Sequence, residues 1–224
     1  MKILDASFVT SVPAGGRLPP DTGPLIAMVG RSNVGKSSLI NALIRRGLAR
    51  AGARPGTTRL VNLYTLRAVP AAGKRAVRLT LADLPGYGFA RGGTQARREF
   101  EAIVREFFRR ATARTGTRRR PGEPHLAGVI LLLDGRHAGL DSDLAAHAWL
   151  VERGYPYIVV TTKSDRMPRS AQARARRAHE AALGHVVFPM SSRTGAGVFA
   201  VRTAVGSMLA AAAADDDGPP AGES

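Results

Sequence analysis

Apolar residues gather along this chain in short dense runs, separated by stretches whose apolar positions recur at helical spacing. The runs are PLIAMVG, RLVNLYTLRAV, AVRLTLADLPG, LAGVILLLDGR, YPYIVVTTKSD and HVVFPMSSR, and five of them carry Gly, Asp or Ser within their last three residues. Several are apolar on both faces, as strands buried inside a parallel sheet are. Between them, Thr94 to Thr112 carries Phe100, Ile103, Val104, Phe107, Phe108 and Ala111 at helical spacing, with Arg97, Arg98, Arg105 and Arg109 among the remaining positions. That aromatic stripe reads as core packing rather than a platform for stacked bases. DSDLAAHAWLVERG opens with capping residues and stops at Gly154, which predicts another helix. Strands alternating with helices predict an α/β fold of three layers, with a mostly parallel six-stranded sheet flanked by helices. Such domains take their ligands beyond the carboxyl ends of the strands. Residues 1–24 are expected to form an N-terminal extension or edge strand, 25–209 the domain itself, and 210–224 a fraying helix end and disordered acidic tail.

Charge changes the picture. Of 224 residues, 33 are Lys or Arg and 17 are Asp or Glu, a formal +16. A domain this basic is expected to meet a polyanion, nucleic acid or an anionic membrane surface, the alternative being a solvated basic exterior. TARTGTRRRPGEP, residues 112–124, is a basic loop rich in turn formers. Without cysteine there is neither a disulfide framework nor a thiolate metal site, and no window approaches the length of a membrane span. The expectation is a soluble cytoplasmic protein and a monomer. Only four of the basic residues are lysines, at positions 2, 36, 74 and 163, so a lysine at a motif position signals that a compact ammonium is wanted there.

Two of those lysines fall in motifs. GRSNVGKS, residues 30–37, matches G-x-x-x-x-G-K-[ST], with a strand before it and a helix after it. Gly30 and Gly35 let the backbone curl around phosphate oxygens, so that the amides of Arg31, Ser32, Asn33 and Val34 and the positive end of the helix face one concavity. Lys36 then reaches the terminal phosphates and the Ser37 hydroxyl ligates Mg2+. This is a P-loop, and it predicts a nucleoside triphosphate. The base is read from YIVVTTKSD: a strand ending in Thr162, Lys163, Ser164 and Asp165 presents one carboxylate able to accept both the ring N–H and the exocyclic amine of guanine. Adenine has no such donor pair and would leave that carboxylate unpaired. Lys163 is expected to lie along the purine and brace the phosphate loop. PMSSRTG offers Met190, Ser191 and Ser192 at another strand end, with backbone and hydroxyl groups near the guanine carbonyl. ADLPGYG sets Asp83 to hold the metal through water, and with Leu84 and Pro85 carries the Gly86 amide to the γ-phosphate. ARPGTTRL offers Thr58 as a second metal ligand.

In this order, over about Leu25 to Met208, the segments resemble the TrmE-Era-EngA-EngB-Septin-like GTPases. GRSNVGKSSLINAL, RPGTTR, ADLPGYGFA and DGRHAGLDSDLAAHAWL resemble the EngB family, also called YihA or YsxC. The resemblance implies a single G domain that switches between GTP and GDP during assembly of the large ribosomal subunit, with the subunit precursor and its rRNA as partners and a role in normal cell division and septation. It also implies that Gly30 to Ser37, the segment Gly56, Thr57, Thr58, Arg59 and Leu60, Asp83 to Gly86, Thr162 to Asp165 and Met190 to Ser192 contact GTP, with Ser37, Thr58 and Asp83 serving Mg2+. Competing readings are an adenine-specific ATPase or kinase, an RNA-binding module that uses its nucleotide structurally, and a division factor acting without ribosomes.

Tyr87 stands where many GTPases place a water-orienting glutamine. A phenol is a poor general base at neutral pH, so hydrolysis is expected to be slow. Lys36, Asn33, Thr58 and Gly86 are the groups expected to act on the reacting phosphates. Asn33 has two readings, a residue that helps hold K+ beside the β- and γ-phosphates, as in GTPases this chain resembles, and a side chain that shapes the loop. Arg118, Arg119 and Arg120, with Arg174, Arg176 and Arg177, are candidates to neutralise RNA phosphates.

Overall fold

In the computed structural model of the protein, the described residues are 1–13, 16–44, 47–49, 60–70, 75–87, 93–112 and 122–216. The chain runs β1 (Lys2–Pro13), β2 (Pro24–Gly30), α1 (Lys36–Ile44), β3 (Leu60–Val69), β4 (Val77–Asp83), α2 (Gly93–Thr112), β5 (His125–Asp134), α3 (Asp141–Arg153), β6 (Tyr157–Thr162), α4 (Arg169–Leu183), β7 (Val187–Pro189) and α5 (Val198–Asp216). The strands lie in the order β1-β3-β4-β2-β5-β6-β7. β4, β2, β5, β6 and β7 are mutually parallel, and β1 and β3 join antiparallel at one side.

The six apolar runs all form strands, and the sheet has a seventh. β1 is the segment expected as an extension or edge strand; its burial is intermittent, with Ala6 and Val12 covered and Leu4, Phe8 and Val9 exposed. An edge strand with one covered face shows no continuous apolar run, which is why it does not count among the six.

Burial follows the periodicity. β2 and β5 are covered on both faces. One face packs under α1 and α5, where Leu39, Ile40, Leu43, Val201 and Val205 meet Ile26, Met28, Ile130 and Leu132. The other packs under α2 and α3, where Phe107, Phe108 and Leu150 meet Val29, Leu131 and Val159. The aromatic stripe of α2 is thus core: Phe108 stacks on Tyr155 and meets Trp149 edge to face. α3 stops where expected, at Gly154 in the left-handed conformation (φ 65°). Its start differs from the expectation. The N-cap position is Leu140, with no side-chain cap, because the carboxylates of Asp141 and Asp143 lie inside the first turn instead. α5 continues past residue 209 to Asp216, so helix occupies the first half of the segment expected as a tail. Among the described residues, no helix is long and apolar enough to cross a membrane.

Candidate functional site

Because β2, β4, β5, β6 and β7 are parallel, their carboxyl ends share one edge of the sheet, and all the described motif residues leave from it. The loop from Gly30 to Gly35 turns directly from β2 into α1. Gly30 has no room for a side chain: a Cβ there would lie 2.7 Å from the Leu132 carbonyl oxygen and 2.9 Å from Val34. Asn33 (φ 58°) and Gly35 (φ 114°) take left-handed backbone, which Asn and Gly tolerate best. Val34 is buried and its carbonyl accepts a 2.7 Å hydrogen bond from the Thr162 hydroxyl, which anchors the loop to β6. The first turn of α1 contains no acidic residue, so its positive end is left to a ligand. Lys36 turns its ammonium toward the carbonyls of Gly30 and Arg31, at 3.4 and 3.5 Å. Burial lowers its pKa, and the charge of Asp83 opposes that.

Ser37 donates a 3.2 Å hydrogen bond to Asp83 Oδ2. Asp83 is buried, its pKa is pushed up by burial, and its Oδ1 has no hydrogen-bond partner among the described residues. A hydroxyl beside a carboxylate with a spare oxygen is a donor set that suits a hard divalent cation. Leu84 donates its amide to the Met28 carbonyl, and Pro85 and Gly86 follow onto the phosphate loop. Gly86 lies so close that a Cβ would meet the Ser32 nitrogen at 2.6 Å. Gly56, Thr57, Thr58 and Arg59, and with them the second metal ligand expected from sequence, lie outside the described residues; Leu60 opens β3.

At the far end, Lys163 takes left-handed backbone (φ 61°). Its ammonium donates to the Asn33 carbonyl at 2.8 Å and to Asp134 at 2.8 Å. It therefore braces the phosphate loop, as expected, through a partner that the motif does not contain. Asp165 accepts from the Ser191 hydroxyl at 2.5 Å and from Arg193 Nε at 2.7 Å, and these bonds hold its carboxyl below its ordinary pKa. Ser191 is fully buried and also accepts from the Thr194 amide. Its hydroxyl is thus committed to orienting Asp165, whereas sequence had it beside the guanine carbonyl. Ser164 is tied to the Met190 carbonyl through its amide, and Ser192 is exposed.

Asp134 at this edge and Arg202 at the far end of α1 escape sequence reasoning. Asp134, at the end of β5, holds Lys163 and also takes a two-pronged bond from Arg136 at 2.8–2.9 Å. Burial alone would raise its pKa, but the hydrogen bonds from Arg136 and Lys163 outweigh it and hold the carboxyl far below the usual range. Its signal was the acidic end of a buried strand. Arg202 of α5 reaches the carbonyls of Ala42 and Leu43 at the end of α1, and no local pattern announces it. The expected RNA contacts divide: Arg174, Arg176 and Arg177 are exposed on α4, Arg176 paired with Glu180, while Arg118, Arg119 and Arg120 lie outside the described residues.

Comparison with known proteins agrees with this geometry. Residues 25–163 match the family model described as 50S ribosome-binding GTPase. A probable GTP-binding protein EngB of Anaeromyxobacter sp. (strain Fw109-5) is 37% identical over 228 aligned residues, covering 99% of this chain and 96% of that protein. The corresponding protein of Pelotomaculum thermopropionicum is 37% identical over 176 residues, 78% of each chain. Among solved structures, a probable GTP-binding protein engB superposes with a TM-score of 0.57 at 22% identity, covering 84% of this chain and 99% of that one. The cytosolic domain of the T. maritima FeoB iron transporter superposes with a TM-score of 0.53 at 22% identity, over 87% of this chain and 65% of that one, which speaks to the fold alone.

Proposed function

The chain belongs to the 50S ribosome-binding GTPase family, within it to the EngB proteins, and from that premise we propose that it is a slow GTPase switch acting on the precursor of the large ribosomal subunit. The observation that carries the reading is the pairing, on one sheet edge, of an amide-lined loop and an oriented carboxylate: Lys163 links them physically, 2.8 Å from the Asn33 carbonyl and two residues before Asp165. The loop amides other than those of Ser32 and Val34, which donate to the Tyr87 and Arg31 carbonyls and not into the concavity expected from sequence, take the phosphates with Lys36, and Asp165, held by Ser191, takes the N–H pair of guanine. Guanine must displace Arg193 from Asp165 Oδ2 to do so.

Ser37 and Asp83 would hold Mg2+, with Thr58 as a further ligand. When bound, the ion neutralises charge on the β- and γ-phosphates. The Gly86 amide is positioned to meet the γ-phosphate. Tyr87 supplies no base: its hydroxyl points away from the loop, to Asp143, and burial pushes its pKa up. Slow intrinsic hydrolysis follows from that, with K+ at Asn33 as the compensating charge. The left-handed backbone of Asn33 supports the alternative, a loop-shaping role. The exposed arginines of α4 serve rRNA phosphates.

Calorimetry of the full chain with GDP, a non-hydrolysable GTP analogue and an ATP analogue tests the pocket: guanine nucleotides are expected to bind and adenine nucleotides not. Co-sedimentation with large ribosomal subunits tests the partner, with retention expected in the GTP analogue over GDP. Hydrolysis rates in KCl and NaCl test the cation, and equal rates with a silent Asn33→Ala would remove it.

A further inference from the structure

Tyr87 follows Asp83, Leu84, Pro85 and Gly86, and it is tied at both ends. Its main chain forms a parallel bridge with Arg31: the amide donates to the Gly30 carbonyl at 3.2 Å, and the carbonyl accepts from the Ser32 amide at 2.9 Å. Its ring is buried in the core cluster that contains Val104, Phe107 and Phe108. Its hydroxyl donates a 3.0 Å hydrogen bond to Asp143 Oδ1. Asp143 is 2% exposed in the first turn of α3, where the helix dipole favours a carboxylate, and its Oδ2 has no hydrogen-bond partner among the described residues. Burial pushes the pKa of both the phenol and the carboxyl up, and the charge of Arg31 opposes it.

Core packing alone does not account for this pair. Two apolar side chains of the same shape would fill the space without the cost of removing a phenol and a carboxyl from water. A buried directional bond does what apolar contacts do not: it selects one position of the segment it holds. Here that segment ends in Gly86, whose backbone already touches Ser32.

We propose that Tyr87 and Asp143 are positioning residues for the third phosphate: the hydrogen bond between them seats Gly86 against the phosphate loop, so that its amide is in place for a nucleoside triphosphate before one arrives. The inference rests on reading this edge as a guanine-nucleotide pocket. A diphosphate is held by the loop amides, Lys36 and Asp165, whose hydrogen bonds do not include Asp143. Releasing the latch therefore weakens triphosphate binding selectively.

The test measures affinities of the full chain for GDP and for a non-hydrolysable GTP analogue with Mg2+, in the unaltered protein and in Tyr87→Phe, Asp143→Asn, Asp143→Ala and the Tyr87→Phe/Asp143→Ala double variant. Tyr87→Phe keeps the ring and its packing. It is expected to weaken the triphosphate analogue by about fivefold to tenfold, the worth of one ordinary intramolecular hydrogen bond, and to leave GDP within about twofold. Asp143→Asn retains an accepting oxygen and is expected to stay within about twofold of the unaltered chain for both. The double variant is expected to be no worse than the weaker single one, as for two partners in one bond. An unchanged ratio of the two affinities in Tyr87→Phe would overturn the proposal, and so would equal losses for both nucleotides with a lowered melting temperature. Should Asp143→Ala not fold, Tyr87→Phe decides alone. If the unaltered chain bound neither nucleotide, the pocket reading itself would fall, a result distinct from any change in the ratio.

Discussion

Asp165 and Asp134 are carboxylates at the ends of neighbouring strands, and their surroundings divide the work between them. Asp165 is held by Ser191 and covered by the exposed Arg193. In Asp165→Asn an amide replaces two acceptors with one acceptor and one donor. Guanine affinity is expected to fall by about a hundredfold or more, while xanthine, which carries a carbonyl where guanine carries its amine, gains. Parallel titrations with GTP and XTP check this. Asp134 is paired with Lys163 and Arg136. Its depressed pKa means that its ion pairs stabilise the fold fully above the ordinary carboxylate range near pH 4, and that the contribution fades as pH falls below that value toward the folded-state pKa. Asp134→Asn is expected to cost about 1–3 kcal/mol at pH 7 and to flatten the fall in melting temperature between about pH 4 and pH 2. Thermal melts of both proteins across that range would show it. TKSD announces Asp165 because the motif is local. Asp134 meets Lys163 across 29 residues of chain, and Tyr87 meets Asp143 across 56, so no spacing rule could join them.

Among the elements, α1 matters most, because the phosphate loop is its N-terminal extension. Its far end is closed by Arg202 of α5, which satisfies the carbonyls of Ala42 and Leu43 and places a positive charge at the negative end of the helix. Arg202→Met keeps the apolar stem and removes the guanidinium. It is expected to destabilise by about 1–2 kcal/mol, a drop in melting temperature of roughly 2–8 °C, with a modest loss of GDP affinity. Calorimetric melts and titration on one sample separate the two effects. The segment from Asp83 to Gly86 is the other element with a defined task. A methyl on Gly86 must push the Ser32 backbone away, so Gly86→Ala is expected to lose the preference for a triphosphate while GDP still binds. Competition between GDP and the GTP analogue checks it.

At the scale of the molecule, five parallel strands deliver the described motifs to one edge, and the nucleotide becomes part of the fold that binds it. GDP at a hundred times its dissociation constant is expected to stabilise the chain by about 2.7 kcal/mol, with no shift from ADP; melting curves with each nucleotide decide. The surplus of positive charge acts at this scale too. If α4 meets rRNA, affinity for large subunits falls steeply with salt, and Arg174→Ala/Arg177→Ala reduces the slope of log affinity against log salt by about two. A salt series in sedimentation assays measures that slope, and a flat dependence in the unaltered chain would contradict contact with the RNA backbone.

Apolar periodicity was enough to read the strands from β2 to β7 and the helices α2 and α3, and motif spacing was enough for the phosphate loop, because burial on both faces and the turn chemistry of Gly and Asn act over a few residues. The edge strand β1 was barely visible, since only its pairing with β3 gives its polar alternation a meaning. Folding alone decided which polar groups meet: Lys163 with Asp134, Tyr87 with Asp143, Arg202 with the end of α1. The free energy of such a pair depends on shared burial and on distances of about 3 Å, and neither exists until distant strands and helices are packed side by side.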